Sequence, residues 1–234
     1  MRLEAIAEAS GAHGFGVADL TPQPVRAHIV ASGGGWLEAF PRAISVAHRL
    51  QDGLVDELPV RHTYPPIARL YDFHIYRTVN DHLDAVADRL ATELQRDGFR
   101  AVPVPASLSV DPSGFVGAVS HKLVARQAGL GWIGRSCLLV TPAAGPRVRL
   151  VSVLTDAPLP VDAPLSSDCG RCRSCVDACP ATAFSGRTFA EDEPVSARMD
   201  VQACRMYRER AKETSGAAIC GVCVAVCPPG RRAR

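Results

Sequence analysis

Apolar residues first recur at helical spacing in Leu3, Ile6 and Ala7, and Gly11 and Gly14 then stop the run, which predicts a short opening helix. Residues 15–20 read as a strand. After the loop marked by Gly33, Gly34 and Gly35, residues 43–47, small and apolar around Ile44 and Val46, read as a second, buried strand. The clearest signal runs over residues 68–96, where Val79, Leu83, Val86, Leu90 and Leu94 share one face while Asp81, Asp84, Asp88 and Arg89 fall elsewhere. That spacing predicts a long amphipathic helix packed on a sheet. Gly98 ends it, residues 99–104 predict a further strand, and Pro103, Pro105 and Pro112 keep the following stretch irregular. Residues 119–127 predict a shorter helix ending at Gly129. Residues 136–140 and 148–154 read as paired strands joined through Thr141-Pro142-Ala143-Ala144-Gly145.

This order of elements predicts an α+β chain in two parts. Residues 1–160 form an α/β sandwich-like cofactor domain, Pro158, Pro160 and Pro164 punctuate a linker, and residues 161–234 form a smaller cysteine-rich module. An apolar fraction of 47% and a charged fraction of 21% are those of an ordinary globular protein. Glu4, Glu8 and Asp19 interrupt the first twenty residues, so no signal peptide or membrane span is expected and the chain should stay in the cytoplasm. A formal charge of +2 lacks the Lys and Arg excess of a strong phosphate-binding surface. The basic tail Arg231, Arg232 and Arg234 reads as a solvated end.

Of the nine cysteines, Cys137 stands alone and eight crowd into the last third of the chain. A secreted disulfide scaffold would be short and would lack the long apolar N-terminal region. The stretch Cys169-Gly-Arg-Cys172-Arg-Ser-Cys175-Val-Asp-Ala-Cys179-Pro180 matches the C-x2-C-x2-C-x3-C-P run of bacterial ferredoxins. In that pattern three thiolates wrap one [4Fe-4S] cluster and the fourth ligates the other cluster, while the proline turns the chain. The Cys-Pro ending recurs at Cys227-Pro228, so symmetry assigns Cys227 to the first cluster with Cys169, Cys172 and Cys175. Cys179, Cys220 and Cys223 then hold the second cluster and need one more thiolate. Cys204 supplies it, although it stands sixteen residues before Cys220 instead of three, across an insertion that reads as a helix around residues 206–214. Crossed ligands keep the two clusters close enough for electron transfer between them. A pair of structural zinc sites also uses C-x2-C pairs, yet this run overfills a single tetrahedral ion. Cys137, in a segment that reads as strand, is expected to pack as a small hydrophobe.

Gly129-Leu-Gly131-Trp132-Ile-Gly134 fits G-x-G-x-x-G, but it follows a helix and precedes a strand, the reverse of the dinucleotide fingerprint. These glycines and Trp132 either let a backbone approach a flat cofactor or form a helix cap and turn. Ala128-Gly-Leu-Gly-Trp-Ile-Gly-Arg135, the strand end Leu154-Thr-Asp156 and the cysteine module together resemble epoxyqueuosine reductases over nearly the whole chain. That family is distantly similar to reductive dehalogenases. The resemblance implies a cobalamin-binding α+β domain joined to a double [4Fe-4S] ferredoxin-like module, with an external donor such as flavodoxin or ferredoxin reducing the clusters and the clusters reducing cobalt.

The chain departs from the family at three places. Asp72-Phe73-His74 replaces an Asp-Tyr-His triplet, losing a phenol. The family's acid, an Asp opening an Asp-Thr-Gly-Pro stretch, would fall near Phe115, with Asp111 and His121 as substitutes at unmatched positions. The family's C-terminal helical extension, which helps grip tRNA, has no counterpart before Arg234, which weakens the expectation of a tRNA substrate. His74 is then the expected proton donor for a reduction that needs an acid at the substrate. An iron–sulfur reductase passing electrons to a corrinoid and on to a substrate is the leading expectation. A non-catalytic electron-transfer or corrinoid-handling protein, or a flavin-dependent variant, stands beside it.

Overall fold

The computed structural model describes residues 2–22, 25–29, 35–110 and 116–231. Gly33, Gly34, Asp111, Pro112, Phe115, Arg232 and Arg234 therefore lie outside the described residues. In chain order the first elements are α1 (Arg2–Ala9), β1 (Gly14–Asp19), α2 (Val25–Ile29), β2 (Arg42–Arg49), α3 (Asp52–Val55), α4 (Leu58–Arg61), α5 (Pro65–Phe73), α6 (Asn80–Arg96) and β3 (Ala101–Val104). They continue with α7 (His121–Gln127), β4 (Trp132–Ile133), β5 (Leu139–Val140), β6 (Val148–Thr155), α8 (Ser174–Asp177), α9 (Val201–Ser215) and α10 (Val222–Ala225).

The chain divides into two compact units that are not consecutive in sequence. One comprises Met1–Arg49, Val79–Gly131 and Arg149–Ser166, the other Leu50–Thr78, Trp132–Val148 and Ser167–Arg234. Residues 50–78 and 132–148, which precede the expected boundary at residue 160, thus pack with the cysteine segment. Contacts made across long sequence separations draw this division, and no local composition shift marks it.

The first unit is built on a four-stranded sheet of order β1-β2-β6-β3, with β1 antiparallel to β2 and β3 antiparallel to β6. Strand β2 is buried at five consecutive positions, 43–47, which requires cover on both faces. Helix α6 provides part of that cover with Leu83, Val86, Ala87, Leu90, Ala91 and Leu94, the face its periodicity predicts. Around α7, Val124 and Ala128 join Ala18, Leu20, Phe40, Ala43, Val104 and Leu154 in one apolar cluster. This is the expected α/β sandwich-like layer.

The predicted helix over 68–96 is interrupted. It comprises α5, a six-residue π-helical stretch His74–Val79, and then α6. Widened turns of this kind are rare and recur at functional sites. The strand pairing expected for residues 136–140 and 148–154 is also corrected. β5 pairs antiparallel with β4, while β6 is taken into the large sheet. In the connector Thr141 and Gly145 exchange backbone hydrogen bonds of 2.9 Å and the Thr141 hydroxyl accepts from the Ala144 N–H. Beyond this turn β6 pairs with β3, Leu154 opposite Val102 and Ser152 opposite Val104, so its edge is taken by a strand distant in sequence. Among the described residues no helix is long and apolar enough to cross a membrane.

Candidate iron–sulfur site

The cysteines of the second unit sit on short elements whose turns are fixed by named side chains. Gly170, with φ +50°, opens the first loop, and the Asp168 carboxylate accepts from its N–H at 2.6 Å. Arg135 laces this loop from outside, donating from Nε to the Cys172 carbonyl at 3.1 Å, from Nη2 to the Gly170 carbonyl at 2.8 Å, and from Nη1 to the Gly186 carbonyl. Cys175 lies in α8, and the Ala183 N–H donates to the Cys179 sulfur at 3.4 Å. Cys204 lies in the first turn of α9, whose N-terminus is capped by the Asp200 carboxylate on the Ala203 N–H at 2.8 Å. Cys223 lies in α10, entered through Gly221 at φ +75°.

The thiols fall into two groups by the charges that act on them. Burial first, and then Cys169, Cys175 and Cys172, push the Cys227 thiol up to about 12, against a lowering by Arg147. Cys175 is raised by burial and then by Cys169 and Cys172. In the other group, burial raises Cys220 to about 11, with Cys204 and Cys179 adding to it. Burial also drives Cys223 far upward, with Cys220 and Cys204 ahead of Cys175 and Cys179 among the sulfurs that reinforce it. Cys204 is raised by burial and by Cys179, with Arg208 opposing. Thiols that raise one another cannot all ionise alone, and cationic iron removes the penalty. Cys172 is exposed, whereas the other seven are partly buried.

Two further residues of this unit were not singled out by sequence. Tyr207, one turn after Cys204, shares a 2.7 Å hydrogen bond with His62 Nε2, while His62 Nδ1 lies 2.9 Å from the Leu58 carbonyl. Arg147 is buried and ion-paired to Asp52 and Asp56. The spacing of Asp52 and Asp56 at i and i+4 was the available signal.

The glycine motif is used internally. Gly129, at φ +71°, closes α7, and a Cβ there would come within 2.8 Å of the Ala163 carbonyl oxygen. A Cβ on Gly134 would come within 2.8 Å of Val140 Cγ2 and 3.4 Å of the Cys169 sulfur. The chain's own atoms therefore fill the space these two glycines leave, which favours the helix cap and turn at them. Gly131 ends one segment of the first unit and Trp132 begins one of the second. The indole Nε1 of Trp132 and the Nε2 of His74 are both buried without a hydrogen-bond partner. Burial holds the His74 imidazole below its ordinary range. Phe73 is 59% exposed, with Arg77 over its ring. Cys137 is buried as expected, but it occupies the turn between β4 and β5 at φ +56° and not a strand.

His121 is excluded as a substitute acid by its bonds. Its Nε2 lies 3.0 Å from the Pro105 carbonyl, which only accepts, so the proton sits there and Nδ1, 2.8 Å from Ser152 Oγ, accepts from the hydroxyl. Burial lowers its pKa, and the neutral ring is satisfied on both sides.

Residues 168–230 match the family described as 4Fe-4S double cluster binding domain. The epoxyqueuosine reductase of Pseudomonas aeruginosa is 36% identical over 137 residues, 58% of this chain and 32% of that protein. The chain thus spans about a third of the length of that curated relative. Among solved structures, a reductive dehalogenase whose structure suggests a mechanism for B12-dependent dehalogenation superposes with a TM-score of 0.68 at 20% identity, covering 98% of this chain and 31% of that one. The epoxyqueuosine reductase of Streptococcus thermophilus gives 0.63 at 19% identity, over 99% of this chain and 66% of that one. The two superpositions show a shared fold, and the sequence match shows similarity to an epoxyqueuosine reductase over 137 residues.

Proposed function

From an epoxyqueuosine-reductase-like chain carrying a 4Fe-4S double cluster module, we propose an iron–sulfur reductase that takes electrons from an external donor, such as a flavodoxin or ferredoxin, and delivers them to a corrinoid and on to an epoxyqueuosine-type substrate. The observation that carries this reading is the partition of the thiols. Cys169, Cys172, Cys175 and Cys227 would hold one [4Fe-4S] cluster, and Cys179, Cys204, Cys220 and Cys223 the other, with Cys179 and Cys227 exchanged between the two sequence motifs. When bound, the clusters supply single-electron transfer and the corrinoid a reducible cobalt.

The residues of the chain set the conditions for that chemistry. Arg135 fixes the loop of Cys169 and Cys172, and the cap at Asp200 fixes Cys204. The buried, unpartnered Nε2 of His74 and Nε1 of Trp132 are each free to meet a polar group of a ligand, which supports a bound corrinoid or substrate. His74 would then donate a hydrogen bond or a proton to that ligand, at the widened turn that it opens. Burial lowers its pKa, so the protonated, proton-donating form is confined to more acidic pH than for an ordinary histidine.

Anaerobic purification should yield about eight irons per chain and an absorption spectrum that changes on adding cobalamin. Binding of flavin and no corrin would replace this reading with a flavin-dependent one. An exposed Phe73 in place of the family's tyrosine favours a second reading, electron transfer or corrinoid handling without substrate chemistry. Turnover of an epoxyqueuosine-containing anticodon stem-loop by the reconstituted protein rules that second reading out and would bring tRNA in as substrate.

A further inference from the structure

Among the described residues of the cysteine-bearing unit Arg147 is the most buried charge, with 1% of its side chain exposed. Nη1 donates to Asp52 Oδ1 at 2.9 Å, and Nη2 to Asp56 Oδ1 at 2.7 Å and to the Ala225 carbonyl at 3.1 Å. Its Nε is buried with no partner, and a Cβ on Gly230 would lie 3.1 Å from that nitrogen. Ala225 and Gly230 bracket Cys227, so the guanidinium braces the turn that presents this sulfur from both sides. The two carboxylates exceed it in formal charge, but of the three only Arg147 is among the charges that act on the Cys227 thiol. Asp52 and Asp56 are 21% and 46% exposed and are screened by water, whereas the guanidinium is not.

A fixed cation in a low-dielectric position favours the more negative of two charge states beside it, and a cluster gains negative charge on reduction. The second thiol group lacks an equally buried counterpart among the cations described as acting on it. Arg208, which acts on Cys204 and Cys220, is partly exposed and donates its Nε to the Ala218 carbonyl at 2.8 Å. Resting on the ligand assignment above, we propose that Arg147 is a positioning residue that raises the reduction potential of the cluster held through Cys227, with Asp52 and Asp56 aiming its guanidinium.

The test is an EPR-monitored potentiometric titration of the full chain, purified anaerobically with its clusters, for wild type, Arg147→Met, Arg147→Lys and Asp52→Asn. Arg147→Met should shift one of the two reduction steps to lower potential and leave the other in place. Arg147→Lys, which keeps the charge, should return that step toward wild type, and Asp52→Asn should move the same step upward. Two clusters in every protein with no shift, or a downward shift in both Arg147→Met and Asp52→Asn, overturns the inference while leaving the assignment standing. If Arg147→Met retains no iron, Asp52→Asn decides, an upward shift supporting and any other result refuting. Fewer than two clusters in the wild type would instead overturn the assignment.

Discussion

Replacing Cys204 with alanine tests the crossed assignment at its least regular ligand. The substitution removes one sulfur from the first turn of α9 and introduces the best helix former, while the Asp200 cap and the left-handed Gly216 at the far end remain. The helix should therefore persist, and the effect should fall on the metal. Cys204 acts on Cys220 and Cys223, whereas Cys227 is acted on by Cys169, Cys172 and Cys175. A cluster held by Cys179, Cys204, Cys220 and Cys223 loses a quarter of its ligands, and the other loses none. Iron should fall from about eight to about four per chain, with sulfide falling in proportion. Iron and sulfide determination after anaerobic purification gives the stoichiometry, and the EPR spectrum of the dithionite-reduced variant should show one cluster freed of its neighbour's spin. Equal loss of both clusters, or retention of about eight irons, would refute the grouping.

Other substitutions test the scaffold. Asp200→Ala should cost about 1 kcal/mol by uncapping α9, read as faster loss of the second cluster to a chelator, and an unchanged rate would show that the cap does not hold Cys204. Gly129→Ala should destabilise the first unit by about 1–2 kcal/mol, since the alanine must adopt φ +71° against the Ala163 carbonyl; urea unfolding measures it, and wild-type stability would contradict the packing. His121 binds fewer protons folded than unfolded, so its contribution is present above the ordinary histidine pKa and is lost as pH falls through that value toward the lower folded one. Urea midpoints at pH 7.5 and 5.5 should therefore differ less in His121→Asn than in wild type, and an equal difference would assign the acid sensitivity elsewhere.

What the sequence made legible follows from how local each signal is. The apolar stripe of α6, the buried run of β2 and the cysteine spacings are complete within a few turns of chain, and each appears where its pattern places it. The partner of β5 and the recruitment of residues 50–78 and 132–148 to the cysteine-bearing unit depend on contacts that no window contains. Gly129-x-Gly131-x-x-Gly134 illustrates a local pattern that is ambiguous in itself. The glycines are needed for close approach, as expected, but what approaches Gly129 and Gly134 is the chain's own backbone and side chains. The burial of Arg147 was illegible for a related reason: Asp52 and Asp56 at i and i+4 offer a site for a cation, but nothing among Pro146, Val148 and Arg149 marks Arg147 as the one that fills it.

The insertion between Cys204 and Cys220 departs from the ferredoxin spacing without lengthening the reach of its ligand. Helix α9 is closed at both ends, by Asp200 and by Gly216, and the Arg208 Nε ties its middle to the Ala218 carbonyl just ahead of Cys220. A sixteen-residue separation is thereby folded back so that Cys204 acts on Cys220 and Cys223. The same helix brings Tyr207 against His62 and sets a partly exposed arginine beside the second thiol group, while the first has a buried one. Chemically identical thiols thus acquire unequal surroundings through the insertion and through Arg147, and two clusters bound there would differ in environment although their ligand sets are the same.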